Sequence, residues 1–253
     1  MPYVHSQGVR IHYQTEGEGP PLVLQHGFTD SLESWYERGY VPALQQHYRL
    51  ILLDARGHGG SEKPHEPAAY EAQLFAADIL AVLDHLHIPK AHFWGYSMGG
   101  RIAFTTAKYA PERVSSFIIG GAHPYQENRD ALAPWLQELQ KGAGAIASLW
   151  EVPLSPALQA RLLTNDMEAI VAYLRQRMES PGFAEVLSTL PMPCLIYAGE
   201  ADGRYANVKG CVTHIPNATF FSLPGLKHAE GFFRSDLVLP HVTRFLATVS
   251  HEG

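Results

Sequence analysis

The sequence predicts an α/β fold: a mostly parallel central sheet with helices on both faces and a small helical cap. Short apolar runs alternate with segments of helical period over residues 48–119 and again over 194–249. Strands that alternate with helices pair in parallel. Between these stretches, residues 123–190 form helical segments broken by proline and glycine, without a convincing strand. We therefore predict a core of residues 1–122 and 191–253, with residues 123–190 inserted as a cap.

The first elements are β-type runs. Residues 9–14 and 21–25, separated by Gly17-Glu18-Gly19-Pro20, fit a hairpin leading into a buried strand. Residues 48–54 form a short continuous apolar run that ends in a glycine-rich stretch, which predicts a second buried strand.

The remaining elements follow from the same patterns. Residues 70–87 carry an apolar stripe at three- and four-residue spacing, and Pro89 stops this predicted helix. The further predicted strands are residues 91–96, 114–119, 194–198 and 219–223, and the further helices are residues 98–109 and 237–249.

Composition narrows the class of protein. The 253 residues are 46% hydrophobic and 17% charged, which suits one large α/β domain. Apolar segments are interrupted too often for a membrane span. A net charge of -6 argues against a nucleic-acid or anionic-membrane partner. Because Met1 to Ser6 lack a secretory signal, we expect a cytoplasmic protein. The oligomeric state is left open.

Metal and disulfide chemistry are not indicated. Cys194 and Cys211 have no ligand-type spacing, and a core of this size needs no disulfide, so reduced thiols are expected. The 14 histidines are scattered, without a His-x-x-x-His pair. We expect neither a metal nor another cofactor.

The chemical signal is the pentapeptide Gly95-Tyr96-Ser97-Met98-Gly99. It follows a predicted strand and opens a predicted helix, which is the setting of a nucleophile elbow. Small residues on both sides allow a tight turn that exposes the Ser97 hydroxyl. The turn also places the Met98 N–H at a helix N-terminus, where it can face an oxyanion.

A serine nucleophile needs an imidazole base and a carboxylate that orients it. Asp202 and His228 each follow a predicted strand, and parallel sheets gather functional groups at that edge. Glu200 competes for the role of the acid, and we favour Asp202. The order Ser97, Asp202, His228 is that of a known hydrolase triad.

A second oxyanion donor is expected after the strand at residues 21–25. There His26-Gly27 precedes Phe28, whose N–H is placed to complete the oxyanion hole with Met98. His26 itself is expected to form structural hydrogen bonds rather than act as a base.

These motifs, together with Asp54-Ala55-Arg56-Gly57-His58-Gly59, resemble the α/β-hydrolase superfamily along nearly the whole chain. The resemblance implies the α/β-hydrolase fold, a Ser-His-Asp triad and a cap that shapes the substrate pocket. It also implies that Arg56 and His58 brace the oxyanion-hole loop. A serine at the elbow argues against haloalkane dehalogenases and epoxide hydrolases, which have aspartate there.

The elbow and Arg101 are also similar to the menaquinone-pathway synthases that eliminate pyruvate to form 2-succinyl-6-hydroxy-2,4-cyclohexadiene-1-carboxylate. In those lyases the triad acts as a base and arginines hold substrate carboxylates. Gln126-Glu127-Asn128-Arg129 departs from their usual cap pattern, and His228-Ala229-Glu230 replaces their His-x-x-His.

The predicted function is therefore hydrolysis of small-molecule carboxylic esters, including lactones, through an acyl-enzyme on Ser97. Tyr96, Arg101 and Trp150 are the predicted substrate-binding residues. The cap aromatics either line an acyl pocket or form the core of the cap; they are Tyr125, Trp135, Trp150, Tyr173 and Phe183. The alternatives are the pyruvate-eliminating lyase, a carbon-carbon bond hydrolase and a non-catalytic small-molecule receptor.

Overall fold

The computed structural model describes residues 2–150 and 152–249. Within them, eight strands form one sheet in the order β1-β2-β4-β3-β5-β6-β7-β8. The strands are β1 (Tyr3–Ser6), β2 (Val9–Glu16), β3 (Pro21–Gln25), β4 (Arg49–Leu53), β5 (Ala91–Tyr96), β6 (Val114–Gly120), β7 (Cys194–Gly199) and β8 (Ala218–Leu223). β1 and β2 pair antiparallel with their neighbours, and the pairs from β4 through β8 are parallel. The predicted α/β class with a mostly parallel sheet is confirmed.

The helices of the described residues follow the strands in the predicted alternation. They are α1 (Glu33–Glu37), α2 (Tyr40–Leu44), α3 (Ala72–His85), α4 (Met98–Tyr109), α5 (Arg129–Leu139), α6 (Pro156–Leu163), α7 (Met167–Glu179), α8 (Tyr205–Val212), α9 (His228–Phe233) and α10 (Ser235–Val249). Short 3₁₀ helices lie at Pro67–Tyr70, Pro111–Arg113, Ala143–Leu149 and Ala184–Thr189. No described helix is both long and apolar enough to cross a membrane.

Both faces of the sheet are covered. Successive residues of β3 point to opposite faces, so Val23 joins one hydrophobic cluster while Leu22 and Leu24 join another. The first cluster includes apolar residues of α3 and α4, and the second includes those of α1, α2 and α10. Burial on both faces explains the continuous apolar runs of the central strands.

The predicted hairpin is wrong in its pairing. β2 pairs with β1 and β4, and β3 pairs with β4 and β5, so β4 lies between the two strands that Gly17-Glu18-Gly19-Pro20 connects. β3 is buried on both faces and lies between two parallel neighbours, whereas β2 has exposed residues at Arg10 and Thr15 and lies next to the edge strand β1. β1 has four residues, two of them exposed, and no alternation in the sequence marks it as a strand.

Between β6 and β7 the described residues contain helices and no strand. We use the name cap for residues 123–190. α5, α6 and α7 enclose a hydrophobic cluster of their own, formed by Leu132, Leu139, Ile146, Leu158, Leu162, Ile170 and Leu174. Trp135 and Trp150 pack on this cluster, whereas Tyr173 and Phe183 belong to the main core. The cap aromatics are therefore divided between two hydrophobic clusters.

Candidate active site

The elbow between β5 and α4 is a strained turn. Ser97 has φ +54° and ψ -111°, which a residue with a side chain rarely adopts and which costs about 1–3 kcal/mol. A Cβ on Gly95 would lie 2.2 Å from the Gly99 carbonyl oxygen, and one on Gly99 would lie 2.1 Å from the Gln25 carbonyl oxygen. The glycines on both sides of Ser97 are thus required by close backbone approach, which explains the spacing of the motif.

The structure brings Ser97, His228 and Asp202 into one hydrogen-bonded chain. The Ser97 Oγ lies 2.8 Å from Nε2 of His228, and the Nδ1 of His228 lies 2.6 Å from Oδ2 of Asp202. The three residues follow the carboxyl ends of β5, β8 and β7, respectively. A neutral His228 that donates from Nδ1 leaves Nε2 as the acceptor of the serine proton.

Asp202 is buried and remains ionised. Burial favours its neutral form, but hydrogen bonds from His228 and from the Arg204 N–H, with the charges of both residues, outweigh this and lower the pKa of Asp202. The Arg204 N–H donates to Oδ1 of Asp202 at 2.9 Å, so the carboxylate is held at both oxygens. A carboxylate fixed in this way can orient His228 and stabilise its protonated form.

Glu200, the competing acid, lies apart from His228 in the hydrogen-bond network. Its side chain is exposed, and its Oε1 accepts a hydrogen bond from the Ser222 hydroxyl at 2.8 Å. The geometry therefore favours Asp202 over Glu200 as the partner of the histidine.

The loop after β3 lies beside the elbow. A Cβ on Gly27 would be 3.6 Å from the Cβ of Ser97, so the Gly27-Phe28 peptide adjoins Ser97. The Gly27 carbonyl accepts hydrogen bonds from Nδ1 of His26 at 2.8 Å and from the Asp30 N–H at 3.3 Å. Because the trans peptide is planar, a carbonyl held by these donors turns the Phe28 N–H to the opposite side. Among the described residues, neither this N–H nor that of Met98 donates to a protein acceptor.

His26 forms the structural contacts expected of it. Its Nε2 accepts a hydrogen bond from the Ala55 N–H at 3.0 Å, and its Nδ1 donates to Gly27, which fixes one neutral tautomer. The ring thereby connects the loop after β3 to the loop after β4.

Arg56 and His58 differ in their contacts. Arg56 forms a bidentate salt bridge with Asp78 of α3, in which its Nη2 and Nε donate to the two carboxylate oxygens at 2.6 and 2.7 Å. The expectation that Arg56 braces the oxyanion-hole loop is therefore wrong. His58 does contact that loop, because its ring lies 6.0 Å from the ring of Phe28. Burial lowers the pKa of His58 to about 3, so this residue is neutral near pH 7.

The three predicted substrate-binding residues have contacts that the sequence did not reveal. The buried Tyr96 donates its hydroxyl to the backbone carbonyl of His228. Arg101 is buried, and its Nη1 donates to the carbonyls of His123 and Tyr125, both at 2.9 Å. Burial lowers the pKa of Arg101 to about 9.

Trp150 donates from Nε1 to the Thr29 hydroxyl at 3.2 Å, and its ring stacks on Phe233. Sequence reasoning missed this contact and also Arg177, whose side chain is 10% exposed and binds Glu127 at 2.7 Å. Arg177 and Arg101 line a cavity of about 30 Å³ together with Met98, Tyr173 and Phe183. Trp150 and Arg177 lie in the cap, where no short motif marks the residues that face the core.

The described residues contain no group of three or more histidine, cysteine or acidic side chains able to hold a metal ion. Cys194 and Cys211 are free and buried, and burial raises the pKa of each thiol to about 12. Reactive thiolate chemistry is therefore not supported at either position.

Comparison with known proteins adds the family. The model of the alpha/beta hydrolase fold family matches residues 20–182, well over half of the chain. The chain belongs to the alpha/beta hydrolase fold family. It is an enzyme of this family, similar in sequence to an enol-lactonase.

Two relatives match along most of their length. A Bacillus subtilis (strain 168) protein, provisionally named a 2-succinyl-6-hydroxy-2,4-cyclohexadiene-1-carboxylate synthase, is 28% identical over 96% of this chain and 97% of its own. The 3-oxoadipate enol-lactonase 2 of Acinetobacter baylyi is 30% identical over 80% of this chain and 82% of its own. A thermophilic esterase from Thermogutta terrifontis has the same fold, with a TM-score of 0.85 at 20% identity over 98% of both chains.

Proposed function

We propose that this enzyme cleaves carboxylic esters, including lactones, through an acyl-enzyme on Ser97. The observation that carries the proposal is the continuous hydrogen-bonded chain from Ser97 through His228 to the buried Asp202. Its geometry is that of a nucleophile, a base and an orienting carboxylate.

In the first half-reaction, the Ser97 Oγ attacks the carbonyl carbon while Nε2 of His228 takes the hydroxyl proton. The oxyanion that forms accepts hydrogen bonds from the N–H groups of Phe28 and Met98, each worth about 3–4 kcal/mol in comparable sites. Collapse of this intermediate breaks the carbonyl carbon to alkoxy oxygen bond, and His228 returns the proton to the leaving alcohol. In a lactone the alcohol stays attached to the acyl group.

In the second half-reaction, water attacks the acyl-enzyme. His228 takes a proton from the water, and the same two N–H groups hold the second oxyanion. Breakage of the bond to Ser97 releases the acid, and the proton returns to the Ser97 oxygen. Asp202 stays ionised throughout and stabilises the protonated His228.

The proposal is tested with p-nitrophenyl esters of short and medium acids and with a panel of lactones, without added metal. Wild-type protein is expected to turn over at least one substrate, and Ser97→Ala is expected to lose more than 10³-fold in kcat. A fluorophosphonate probe should label Ser97 in the wild type, as located by peptide mapping. Ester turnover by Ser97→Ala, or labelling at another residue, would contradict the proposal.

A pyruvate-eliminating lyase is the second candidate, because two arginines line a cavity together with Met98, the residue after Ser97. Arg101 and Arg177 line the same cavity as Met98, and Nη1 of Arg177 is buried without a hydrogen-bond partner among the described residues. Such groups suit a substrate carboxylate, and one relative bears the corresponding synthase name. In this reaction His228, activated by the triad, would remove a substrate proton. Release of pyruvate from the synthase substrate, without turnover of the ester panel, would favour the lyase.

A further inference from the structure

The loop that carries the Phe28 N–H, residues 27–31, contains a strained residue. Thr29 has φ +63°, in the left-handed region that β-branched residues rarely occupy. The five residues of this oxyanion loop do not by themselves favour such a conformation. Contacts from elsewhere in the chain must therefore hold it.

The cap supplies two of these contacts directly to Thr29. The side-chain amide of Asn165 donates to the Thr29 carbonyl at 3.0 Å, and the Trp150 indole donates to its hydroxyl at 3.2 Å. The hydroxyl in turn donates to the Phe28 carbonyl at 2.7 Å. The carbonyl and the hydroxyl of Thr29 are thus both fixed by residues more than 120 positions away.

A third cap residue holds the next part of the loop. Arg161 lies 3.0 Å from Oδ1 of Asp30 and donates to the Ser31 hydroxyl at 3.2 Å. The Asp30 N–H donates to the Gly27 carbonyl, whose direction sets that of the Phe28 N–H. Cap contacts therefore reach the oxyanion donor through the backbone on its C-terminal side.

We propose that Asn165 is a positioning residue, which holds the oxyanion loop in the strained conformation that directs the Phe28 N–H at the substrate oxyanion. This inference rests on the proposed function, because it takes Phe28 as a donor. Docking of the cap and completion of the oxyanion hole are then one event. A cap that separates from the loop leaves Ser97 and His228 in place but removes the alignment of one donor.

The test compares Asn165→Asp with the matched control Asn217→Asp. Asn165→Asp keeps the size of the side chain but replaces the amide donor with a carboxylate oxygen facing the Thr29 carbonyl. Asn217 likewise donates its side-chain amide to a backbone carbonyl, that of Pro191, at 3.2 Å and away from the site. Trp150→Phe, which removes the indole donor and keeps a ring, is a second variant in case Asn165→Asp does not fold.

Rates are measured with an ester that the wild type cleaves and are divided by the number of sites labelled to completion with a fluorophosphonate. We expect kcat per labelled site to fall about tenfold in Asn165→Asp and in Trp150→Phe, with KM within about twofold of wild type, because an oxyanion contact acts in the transition state. The inhibition constant of a boronic acid, which places an oxygen in the oxyanion hole, should rise by a similar factor. Asn217→Asp should match the wild type in all three values.

Wild-type kcat per labelled site in Asn165→Asp would overturn the proposal, as would a rise in KM at constant kcat or an equal loss in Asn217→Asp. Failure of the proposed function is a separate result, since it would appear as ester turnover by Ser97→Ala. A Ser97→Ala variant without turnover, combined with a fully active Asn165→Asp, would refute the positioning role alone.

Discussion

Replacement of Asp202 by asparagine tests the central electrostatic contact of the proposed mechanism. When His228 takes the serine proton, a positive charge forms 2.6 Å from Oδ2 of Asp202. At an effective dielectric constant of about 20, Coulomb's law gives roughly 6 kcal/mol for charges at that distance. Each 1.36 kcal/mol is tenfold in rate, so Asp202→Asn should lower kcat by about four orders of magnitude. A loss of this size accompanies the same change in other Ser-His-Asp triads.

Asparagine has the shape of aspartate and can still accept the Arg204 N–H, so the fold should persist. The assay is ester turnover per folded molecule, with Glu200→Gln as the matched control, because Glu200 is exposed and bonded to Ser222. We expect Glu200→Gln to stay within about threefold of wild type, as solvated carboxylates contribute little. A loss below about tenfold in Asp202→Asn, or a larger loss in Glu200→Gln, would refute the assignment of the acid.

Two further predictions concern stability. The native state keeps His58 neutral, because burial lowers its pKa from an ordinary 6.5 to about 3. Between these two values the unfolded state binds one more proton than the native state. The free energy of unfolding therefore decreases as the pH falls from 6.5 towards 3. His58→Gln should therefore flatten the slope of the unfolding free energy by about 1.4 kcal/mol per pH unit between roughly pH 4 and 6 in urea titrations, and an unchanged slope would contradict this. A Cβ on Gly99 meets the Gln25 carbonyl oxygen at 2.1 Å, whereas one on Gly144 meets nothing within 4 Å. In the same titrations, Gly99→Ala should lower the free energy of unfolding by about 3 kcal/mol or more, and Gly144→Ala should lower it by less than about 0.5 kcal/mol. Equal decreases in the two variants would refute the packing argument.

The sequence was sufficient for the sheet and the central strands because their signals are local. β3 through β7 are short apolar runs followed by turns or helices, and burial on both faces makes such runs continuous. The pairing of β2 with β4 could not be predicted from such local signals. Strands that are adjacent in the chain are expected to pair, but β4, which comes later in the chain, lies between β2 and β3 in the sheet.

The residues of the candidate triad could be chosen from residue type and position at strand ends. Ser97 has a motif, and Asp202 and His228 follow β7 and β8, whose carboxyl ends must lie at the same edge as that of β5. Their supporting residues have no such marker. Asn165 contacts Thr29 across 136 positions of the chain, and the sequence around it is that of an ordinary link between two helices.

Arg101 shows why a residue type alone does not assign a role. Its match to the pattern of the menaquinone-pathway synthases suggested a substrate contact, yet two of its hydrogen bonds go to backbone carbonyls where the chain leaves β6 and enters the cap. Substitution of Arg101 would therefore disturb the base of the cap together with any bound carboxylate. For this reason a change at Arg101 cannot separate the ester and lyase mechanisms, whereas the identity of the released product can.

The sheet and the cap contact different parts of the candidate active site. Ser97, Asp202 and His228 follow β5, β7 and β8, which belong to one run of parallel hydrogen-bonded strands in the sheet. The Phe28 N–H, the proposed oxyanion donor, lies on a strained loop that the cap contacts from one side. Changes in the cap that alter the substrate pocket will therefore also alter oxyanion stabilisation unless the contacts to Thr29 and Asp30 are kept. Substrate preference and catalytic rate are expected to change together in cap variants that lose those contacts, and separately in variants that retain them.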